Sequence, residues 1–234
     1  MTKKPKSTQA NRTRRWLRRV AGCGVVLLFV PIYAVILFKF FNPGFGFYMA
    51  SEANRLGEIR REWVAIEQVS PVMARSAVAA EDASFCTHYG FDIDAIREAI
   101  EGGSQRGAST ISQQVAKNVF LWHGRSYLRK GLEVGFTVLI ELIWSKERII
   151  EVYLNVAEFD EGVFGVKAAT QHYFGAAPNR ISATQAARLA AILPNPKQRS
   201  ASKPSRFVRK RARAIMSGAQ TIFTDGRADC LLNS

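Results

Sequence analysis

Cysteine and histidine are both scarce in this sequence of 234 residues, with three of each. The cysteines stand far apart, at positions 23, 86 and 230. Neither residue type shows the close spacing that is typical of metal ligands. The sequence therefore has the pattern of neither a disulfide-rich scaffold nor a zinc module. We expect the three cysteines to be structurally incidental.

Acidic residues are absent from two stretches that are rich in basic ones. Residues 1–19 and residues 197–213 each contain eight Lys or Arg side chains and no Asp or Glu. They account for the formal charge of +14, because the rest of the chain holds 17 basic and 19 acidic residues, a net charge of −2. A nucleic-acid-binding protein more often spreads basic side chains over a recognition face, so we expect no nucleic-acid partner. The second stretch suits anionic lipid headgroups or phosphates at a bilayer surface.

Charge is also absent from residues 20–38, a 19-residue apolar run. As a helix this run spans about 28 Å, close to the hydrocarbon thickness of a bilayer. The basic residues before it place the N-terminus in the cytoplasm by the positive-inside rule. We therefore predict a cytoplasmic tail over residues 1–19, a transmembrane helix over residues 20–41 of a single-pass inner-membrane protein, and an extracytoplasmic domain over residues 42–234. A cleaved signal peptide and a buried soluble helix are the alternatives.

Helical periodicity dominates the remainder, and the alternation typical of strands is almost absent. The domain is therefore predicted to be mainly α. Thr110 and Gln113 have the spacing of a capping box, which would begin a helix at Thr110. Residues 132–154 are apolar on most faces, which predicts one or two buried central helices. The other predicted helices cover residues 71–83, 92–100, 110–119 and 183–193.

A pair of carboxylates, Glu81 and Asp82, ends the first of these helices, and His88 follows. Carboxylates reached through an Ala-rich apolar helix are desolvated, which raises the pKa and suits proton transfer near neutral pH. The alternative is a helix-end pair with His88 as a hydrogen-bonded neighbour.

A second polar group lies on the helix that Thr110 begins. Thr110, Gln114 and Lys117 are spaced to share one helix face, and Arg125 and Arg129 follow. Converging cations beside uncharged donors suit an anion such as phosphate or diphosphate. The alternative is that Thr110 acts as a cap alone and that Lys117 is solvated.

A third element places Glu133 four residues after Arg129, at the start of an apolar helix. The two side chains could form a structural ion pair. A second carboxylate in addition to Glu81, with cations between them, instead resembles the arrangement used in glycosyl chemistry. The sequence does not give the distance between the two carboxylates.

Taken together, these segments resemble the ordered motifs of the peptidoglycan glycosyltransferases of family 51, the lysozyme-like polymerases of lipid II. The match extends from about residue 50 to residue 205, and it is most similar to the monofunctional biosynthetic peptidoglycan transglycosylases. The segments that carry it are EDASFCTHYGFD at 81–92, GASTISQQVAKN at 107–118, RKGLE at 129–133, SKERIIEVYLN at 145–155 and GVFGVKAATQHYFG at 162–175.

The resemblance implies a lysozyme-like helical domain, with a large lobe and a small membrane-proximal jaw lobe, after one transmembrane helix. It implies inverting polymerisation of lipid II into β-1,4-linked glycan strands with release of undecaprenyl diphosphate, and partners among other cell-wall synthesis or division proteins. Glu81 would be the general base toward the acceptor 4-hydroxyl, and Asp82 would support it. The residues that would shape the donor and acceptor subsites are Phe85, His88, Thr110, Gln114 and Asn118.

The resemblance also implies a binding site for the donor diphosphate. Lys117, Arg125 and Arg129 would hold the diphosphate and stabilise its departure. Glu133 would organise these cations or a divalent metal, Mg or Mn, beside it.

The sequence departs from the family pattern in three places. Ala108 and Ser112 stand where Gly and Thr are usual, and both are small enough to be tolerated. Residues 159–161, Phe-Asp-Glu, replace the Tyr/Gly-rich segment that usually precedes the last motif. The resemblance therefore does not define the role of this loop in substrate contact.

Two other functions remain as alternatives. A lysozyme-like hydrolase or lytic transglycosylase also uses a glutamate, but it has no diphosphate for Lys117 and its neighbouring cations to hold. A non-catalytic membrane scaffold or nucleic-acid binder would keep its function after Glu81→Gln. Ser200 and Lys203 match S-x-x-K, but no K-T-G follows, so we expect no transpeptidase activity.

Overall fold

The computed structural model describes residues 7–102, 109–124 and 126–231, and it divides the chain into two units between Phe41 and Asn42. Helix α1 (Ser7–Phe40) forms the first unit and contains Pro31. The predicted transmembrane helix falls on α1, but the side chains of residues 20–28 lie outside the described ones. Within the described part of the chain, no helix has both the length and the apolar character needed to cross a membrane.

The second unit is mainly helical, as predicted. The helices predicted over residues 71–83, 92–100, 110–119 and 183–193 are present with bounds that differ by two residues at most, and residues 132–154 divide between two helices with a break at Trp144 and Ser145. The helices over residues 47–56, 166–174 and 206–224 are not predicted from the sequence. The helices are α2 (Phe47–Leu56), α3 (Pro71–Glu81), α4 (Ile93–Glu101), α5 (Ile111–Phe120), α6 (Tyr127–Ile143), α7 (Lys146–Val156), α8 (Val166–Phe174), α9 (Ala183–Ile192) and α10 (Arg206–Thr224).

The helix that carries Gln114 and Lys117 begins where the sequence predicts. The Thr110 side chain accepts a hydrogen bond from the Gln113 backbone N–H, and the Gln113 side chain accepts one from the Thr110 N–H. This capping box satisfies two of the backbone donors that every helix leaves free at its start. The predicted capping box is therefore confirmed.

A small sheet, which the sequence does not predict, joins three short strands. The strands β1 (Arg60–Arg61), β2 (Glu158–Asp160) and β3 (Val163–Phe164) lie in the order β1-β3-β2. β3 runs parallel to β1 and antiparallel to β2. Strands of two or three residues are too short to show alternation, and for this reason the sequence pattern misses them. The sheet fixes the position of Glu158.

The two helices within residues 132–154 differ in burial. Most of α7 is buried, as predicted, with Ile149 and Leu154 fully enclosed. The prediction is wrong for α6, which buries Glu133 and Thr137 and leaves an apolar face exposed. Helix α6 packs on α5, with Phe136 stacked on Phe120, and also buries Ile140. The buried polar side chains of α6 find their partners within α6 itself. The exposed apolar side chains of α6 include Leu128, Leu132, Val138 and Leu142.

A disulfide joins Cys86 to Cys230, with 5.6 Å between the Cα atoms. The prediction that the cysteines are incidental is therefore wrong for these two. They are separated by 144 residues, so no local spacing indicates the pair. The fold brings them together because the 3₁₀ turn at Asp229–Leu231 packs against α3 and α7. The Cys23 side chain lies outside the described ones.

Candidate active site

Glu81 is the last residue of α3 and is largely buried. The Gln114 side chain donates a hydrogen bond of 3.1 Å to Glu81 Oε2, and Arg211 Nη2 lies 3.6 Å from Oε1. Burial is the main cause that raises the pKa of Glu81, and the Gln114 bond and the Arg211 charge act against it. The predicted desolvation of this carboxylate is confirmed.

Asp82 connects the end of α3 to the start of α5. His88 Nε2 lies 2.8 Å from Asp82 Oδ1, and the Ile111 backbone N–H donates to Oδ2 at 2.9 Å. The Gly90 N–H donates to His88 Nδ1, so the proton of a neutral His88 ring sits on Nε2 and is donated to Asp82. Asp82 therefore holds the His88 loop and the start of α5 beside Glu81.

The loop after Asp82 rests on a buried polar network. Lys146 Nζ donates to the His88 carbonyl at 2.7 Å and to Glu141 at 2.8 Å, and Ser112 donates to Glu141 as well. Thr110 Oγ1 donates to the Gly90 carbonyl at 2.7 Å. This network holds the His88 loop against α5, α6 and α7.

Three residues predicted to shape the substrate subsites lie largely in this interior. Phe85 is fully buried, with Lys146 Nζ 4.6 Å from the ring centroid. Thr110 is buried as the helix cap, and His88 bonds to Asp82. Each of these contacts positions the backbone around Glu81.

A cluster of cations surrounds the second buried carboxylate, Glu133. Arg129 Nη1 lies 2.6 Å from Glu133 Oε2, and Lys130 pairs with Oε1. Lys117 lies within electrostatic range of both Glu133 and Glu81; burial lowers its pKa, and Glu133 opposes this most strongly. The structure therefore brings Lys117, Arg129 and Glu133 together and adds Lys130. The predicted contribution of Arg125 lies outside the described residues.

The side chains around Glu133 do not form a metal site. Both of its carboxylate oxygens are already paired with cations. Across residues 7–102, 109–124 and 126–231, no three His, Cys, Asp or Glu side chains lie close enough together to hold a metal ion. Cationic donors fit an anion, so we assign no step to a bound metal.

Two clefts lie near Glu81. The larger, of about 380 Å³, is lined by Gln114, Lys117 and Asn118 of α5 and by Tyr153 of α7. The smaller, of about 260 Å³, runs past Glu81 itself toward Asp92 and Ser109. Lys117 of the cation cluster therefore lines one cleft and Glu81 lines the other, and Gln114 of the larger cleft bonds to Glu81.

A polar wall that the sequence does not predict completes the larger cleft. The Tyr48 hydroxyl donates to Glu158 at 2.6 Å, and His123 stacks on the Tyr48 ring with 3.6 Å between centroids. Burial and then the Lys117 charge lower the pKa of His123 to about 4, which keeps it neutral near pH 7. Lys197 Nζ lies 2.8 Å from Glu52 and 3.8 Å from Glu158. The one sign of this wall in the sequence analysis is that residues 159–161, next to Glu158, depart from the family pattern.

The C-terminal basic stretch does not have one role. Lys197 lines the larger cleft, and Arg211 lies beside Glu81 and donates to the Ala80 carbonyl. Sequence reasoning misses both, since eight basic residues without an acid read as one solvated surface. The side chains of Lys203, Arg209 and Arg213 are exposed.

Comparison with known proteins places this geometry in context. Residues 50–220 match the family described as Transglycosylase. The chain is 53% identical to the biosynthetic peptidoglycan transglycosylase of Jannaschia sp. (strain CCS1), over 96% of this chain and 92% of that protein. It is 46% identical to the protein of the same name from Caulobacter vibrioides, over 93% and 97% of the two chains. The protein of that name from Pseudomonas syringae pv. syringae (strain B728a) is 58% identical over 66% and 67%.

Proposed function

The chain belongs to the transglycosylase family, and from this membership we propose that it builds glycan strands from lipid II with Glu81 as the general base. It is a peptidoglycan glycosyltransferase that polymerises glycan strands in cell-wall synthesis. The observation that carries the assignment of the base is the contrast between a desolvated Glu81 and a neighbouring cluster of cations.

The proposed reaction is one displacement at the anomeric carbon of the donor. Glu81 takes the proton of the acceptor 4-hydroxyl as the hydroxyl oxygen attacks that carbon. The new C1–O4 bond forms, the bond between C1 and the diphosphate oxygen breaks, and its electron pair leaves with undecaprenyl diphosphate. The configuration at C1 inverts, and the proton remains on Glu81 until it passes to water.

The leaving diphosphate gains negative charge in this step, and the cations are placed to stabilise it. We propose that Lys117, Arg125 and Arg129 bind the diphosphate oxygens. Glu133 holds Arg129 and Lys130 in place through two ion pairs. Its own charge is neutralised by them, which suits positioning rather than proton transfer.

We also propose the predicted topology, with residues 20–41 in the inner membrane, the N-terminus in the cytoplasm and the catalytic domain outside. The charge-free run and the preceding basic residues support it. The Cys86–Cys230 disulfide supports it independently, because disulfides persist mainly outside the cytoplasm. The exposed apolar side chains of α4 and α6, such as Ile100 and Leu142, would form the membrane-proximal lobe.

Incubation of the purified protein with labelled lipid II tests the enzymatic proposal. We expect polymer from the wild type, and none from a Glu81→Gln variant that retains its melting temperature. A wild type that shortens added glycan and makes no polymer would instead identify a hydrolase. Polymer from the Glu81→Gln variant at the wild-type rate would remove Glu81 from the role of base.

The membrane proposal has its own test at the start of α2. Phe45 and Phe47 are largely exposed, and they could admit the lipid tail at the bilayer surface. Polar substitution of both should weaken vesicle binding by the catalytic domain and slow lipid II turnover. Unchanged vesicle binding and turnover would contradict this placement.

A further inference from the structure

Three buried polar atoms at or near the catalytic carboxylate lack hydrogen-bond partners among the described residues. They are Oε1 of Glu81, the hydroxyl of Tyr153 and Nε of Arg211. The Arg211 guanidinium is 3.6 Å from Oε1, beyond hydrogen-bond distance, and its side chain is one-third exposed. Buried polar groups in native proteins are nearly always paired, so three unpaired atoms at one site call for an explanation.

Tyr153 lies on α7, is fully buried and lines the larger cleft beside Gln114, the residue that bonds to Glu81. Burial raises its pKa well above the usual value, and the charges of Glu81 and Asp82 raise it further. The phenol therefore lies within electrostatic range of both carboxylates. It stays protonated at any physiological pH and is available as a donor.

Two of these three atoms, Glu81 Oε1 and the Tyr153 hydroxyl, are complementary to a single hydroxyl group. A carboxylate oxygen accepts a hydrogen bond, and a protonated phenol donates one. An alcohol does both, because its O–H donates and its oxygen lone pairs accept. An alcohol between the two side chains would satisfy both atoms at once.

We propose that the Tyr153 hydroxyl binds the oxygen of the acceptor sugar hydroxyl whose proton Glu81 removes. This inference rests on the proposed role of Glu81. Tyr153 fixes the lone pairs of the nucleophile, and its hydrogen bond strengthens as the oxygen loses its proton and gains negative charge. The proton goes to Glu81, since the phenol keeps its own throughout.

Tyr173 provides a matched control. It is also a buried tyrosine, but its hydroxyl lies 2.8 Å from Asp160 and 3.1 Å from the Phe159 carbonyl, so it is fully partnered. Removing the Tyr173 hydroxyl breaks a structural bond away from the carboxylate pair. Removing the Tyr153 hydroxyl breaks no bond to another described residue.

The test compares Tyr153→Phe and Tyr173→Phe in steady-state polymerisation of lipid II and in thermal unfolding. For Tyr153→Phe we expect kcat to fall about 10- to 100-fold, with a melting temperature equal to or above that of the wild type. For Tyr173→Phe we expect a lower melting temperature, with kcat within about twofold of the wild type when measured well below that temperature.

The pH dependence separates this proposal from a direct bond between Tyr153 and the base. The acidic limb of kcat should keep its midpoint in Tyr153→Phe, because the burial of Glu81 is unchanged. A midpoint moved to higher pH would overturn the proposal, since loss of a donor to the carboxylate itself raises its pKa. Full activity of Tyr153→Phe, or a loss of melting temperature equal to that of Tyr173→Phe, would overturn it as well. Glu81→Gln in the same assay tests the role of the base separately. A failure of the Tyr153 proposal can therefore be distinguished from a failure of the proposed role of Glu81.

Discussion

Glu81 and Glu133 are both buried carboxylates at one site, and they differ in what surrounds them. Glu133 has a cation on each oxygen, Arg129 on one and Lys130 on the other. Glu81 has an amide on one oxygen and, 3.6 Å from the other, a guanidinium outside hydrogen-bond distance. Burial alone thus does not decide the role of a carboxylate. A buried carboxylate without a hydrogen-bonded cation has a raised pKa and can take up a proton, whereas one bonded to cations holds them in place.

The origin of this difference is visible in the chain. The partners of Glu133 lie three and four residues before it on the same helix, so α6 builds the ion pairs by itself. Glu81 ends a helix that has no basic residue in its last turn. Its partners come from α5 and α10, which the fold brings to the end of α3. The positioning carboxylate is therefore encoded locally and the proton-accepting one is encoded by the fold.

Glu81→Gln should have the largest effect on activity. The amide keeps the size of the side chain but cannot accept a proton, so we expect polymerisation to fall by about 10²–10⁴-fold. Labelled lipid II and gel separation of the products measure this. Binding of a non-polymerisable lipid II analogue should persist, which separates lost chemistry from lost affinity. An equal loss of binding would show that Glu81 acts through the substrate site instead.

Glu133→Gln should reduce activity less and stability more. The change leaves Arg129 and Lys130 without a counter-charge beside Lys117, so we expect about 10- to 100-fold slower polymerisation and a loss of ~1–3 kcal/mol in unfolding free energy. The estimate is modest because Lys130 is half exposed. Glu62→Gln, which removes an exposed ion pair with Lys167, is the control and should change neither quantity. Unfolding and activity that match the wild type would contradict the positioning role.

The raised pKa of Glu81 predicts a third effect, on pH dependence. The base works only when deprotonated, so activity should fall about tenfold per pH unit below its pKa, with the midpoint above the usual value of 4.5. Arg211 lowers this pKa, so Arg211→Ala should move the midpoint further upward. A midpoint at or below 4.5 in the wild type would contradict the desolvation of Glu81.

The same shift affects stability, with a definite sign. The folded state binds the Glu81 proton more tightly than the unfolded chain, so folding takes up protons between pH 4.5 and the raised value. The unfolding free energy of the wild type therefore decreases as pH rises through that window. Glu81→Gln lacks this decrease and should be more stable than the wild type above the window. The two proteins should be equally stable below pH 4.5, as urea unfolding at several pH values would show.

Features that depend on neighbours along the chain were predictable from the sequence. The Thr110–Gln113 capping box and the pairing of Arg129 with Glu133 each involve residues three or four apart on one helix. The mainly helical character follows from the same short-range periodicity. For these interactions, the spacing of two residues along one helix is enough to show that their side chains meet.

Features that join distant segments were not predictable in the same way. The positions of Lys197, Arg211 and Tyr153 in the site depend on how α7, α9 and α10 pack on the rest of the domain. Residues 132–154 are apolar on most faces, and this pattern does not show which face of α6 the core covers. Buried Glu133 and Thr137 reverse the usual expectation because each has a bonded partner.

The smallest effect on activity is expected from the disulfide, and it separates the two halves of the site. Cys86 follows Phe85 in the loop after Glu81, so the Glu81 side is held covalently, whereas the Glu133 side is held by ion pairs. Replacing Cys86 and Cys230 by Ser should cost ~2–5 kcal/mol of unfolding free energy, because the closed loop is long. Activity at 25 °C should stay within about threefold of the wild type, since the bonds of Asp82 to His88 and Ile111 still hold the loop.

Reductant should lower the melting temperature of the wild type to that of the double variant and leave the variant unchanged. A wild type whose melting temperature is insensitive to reductant would show that the packing of the Asp229–Leu231 turn, rather than the covalent bond, secures the Glu81 side.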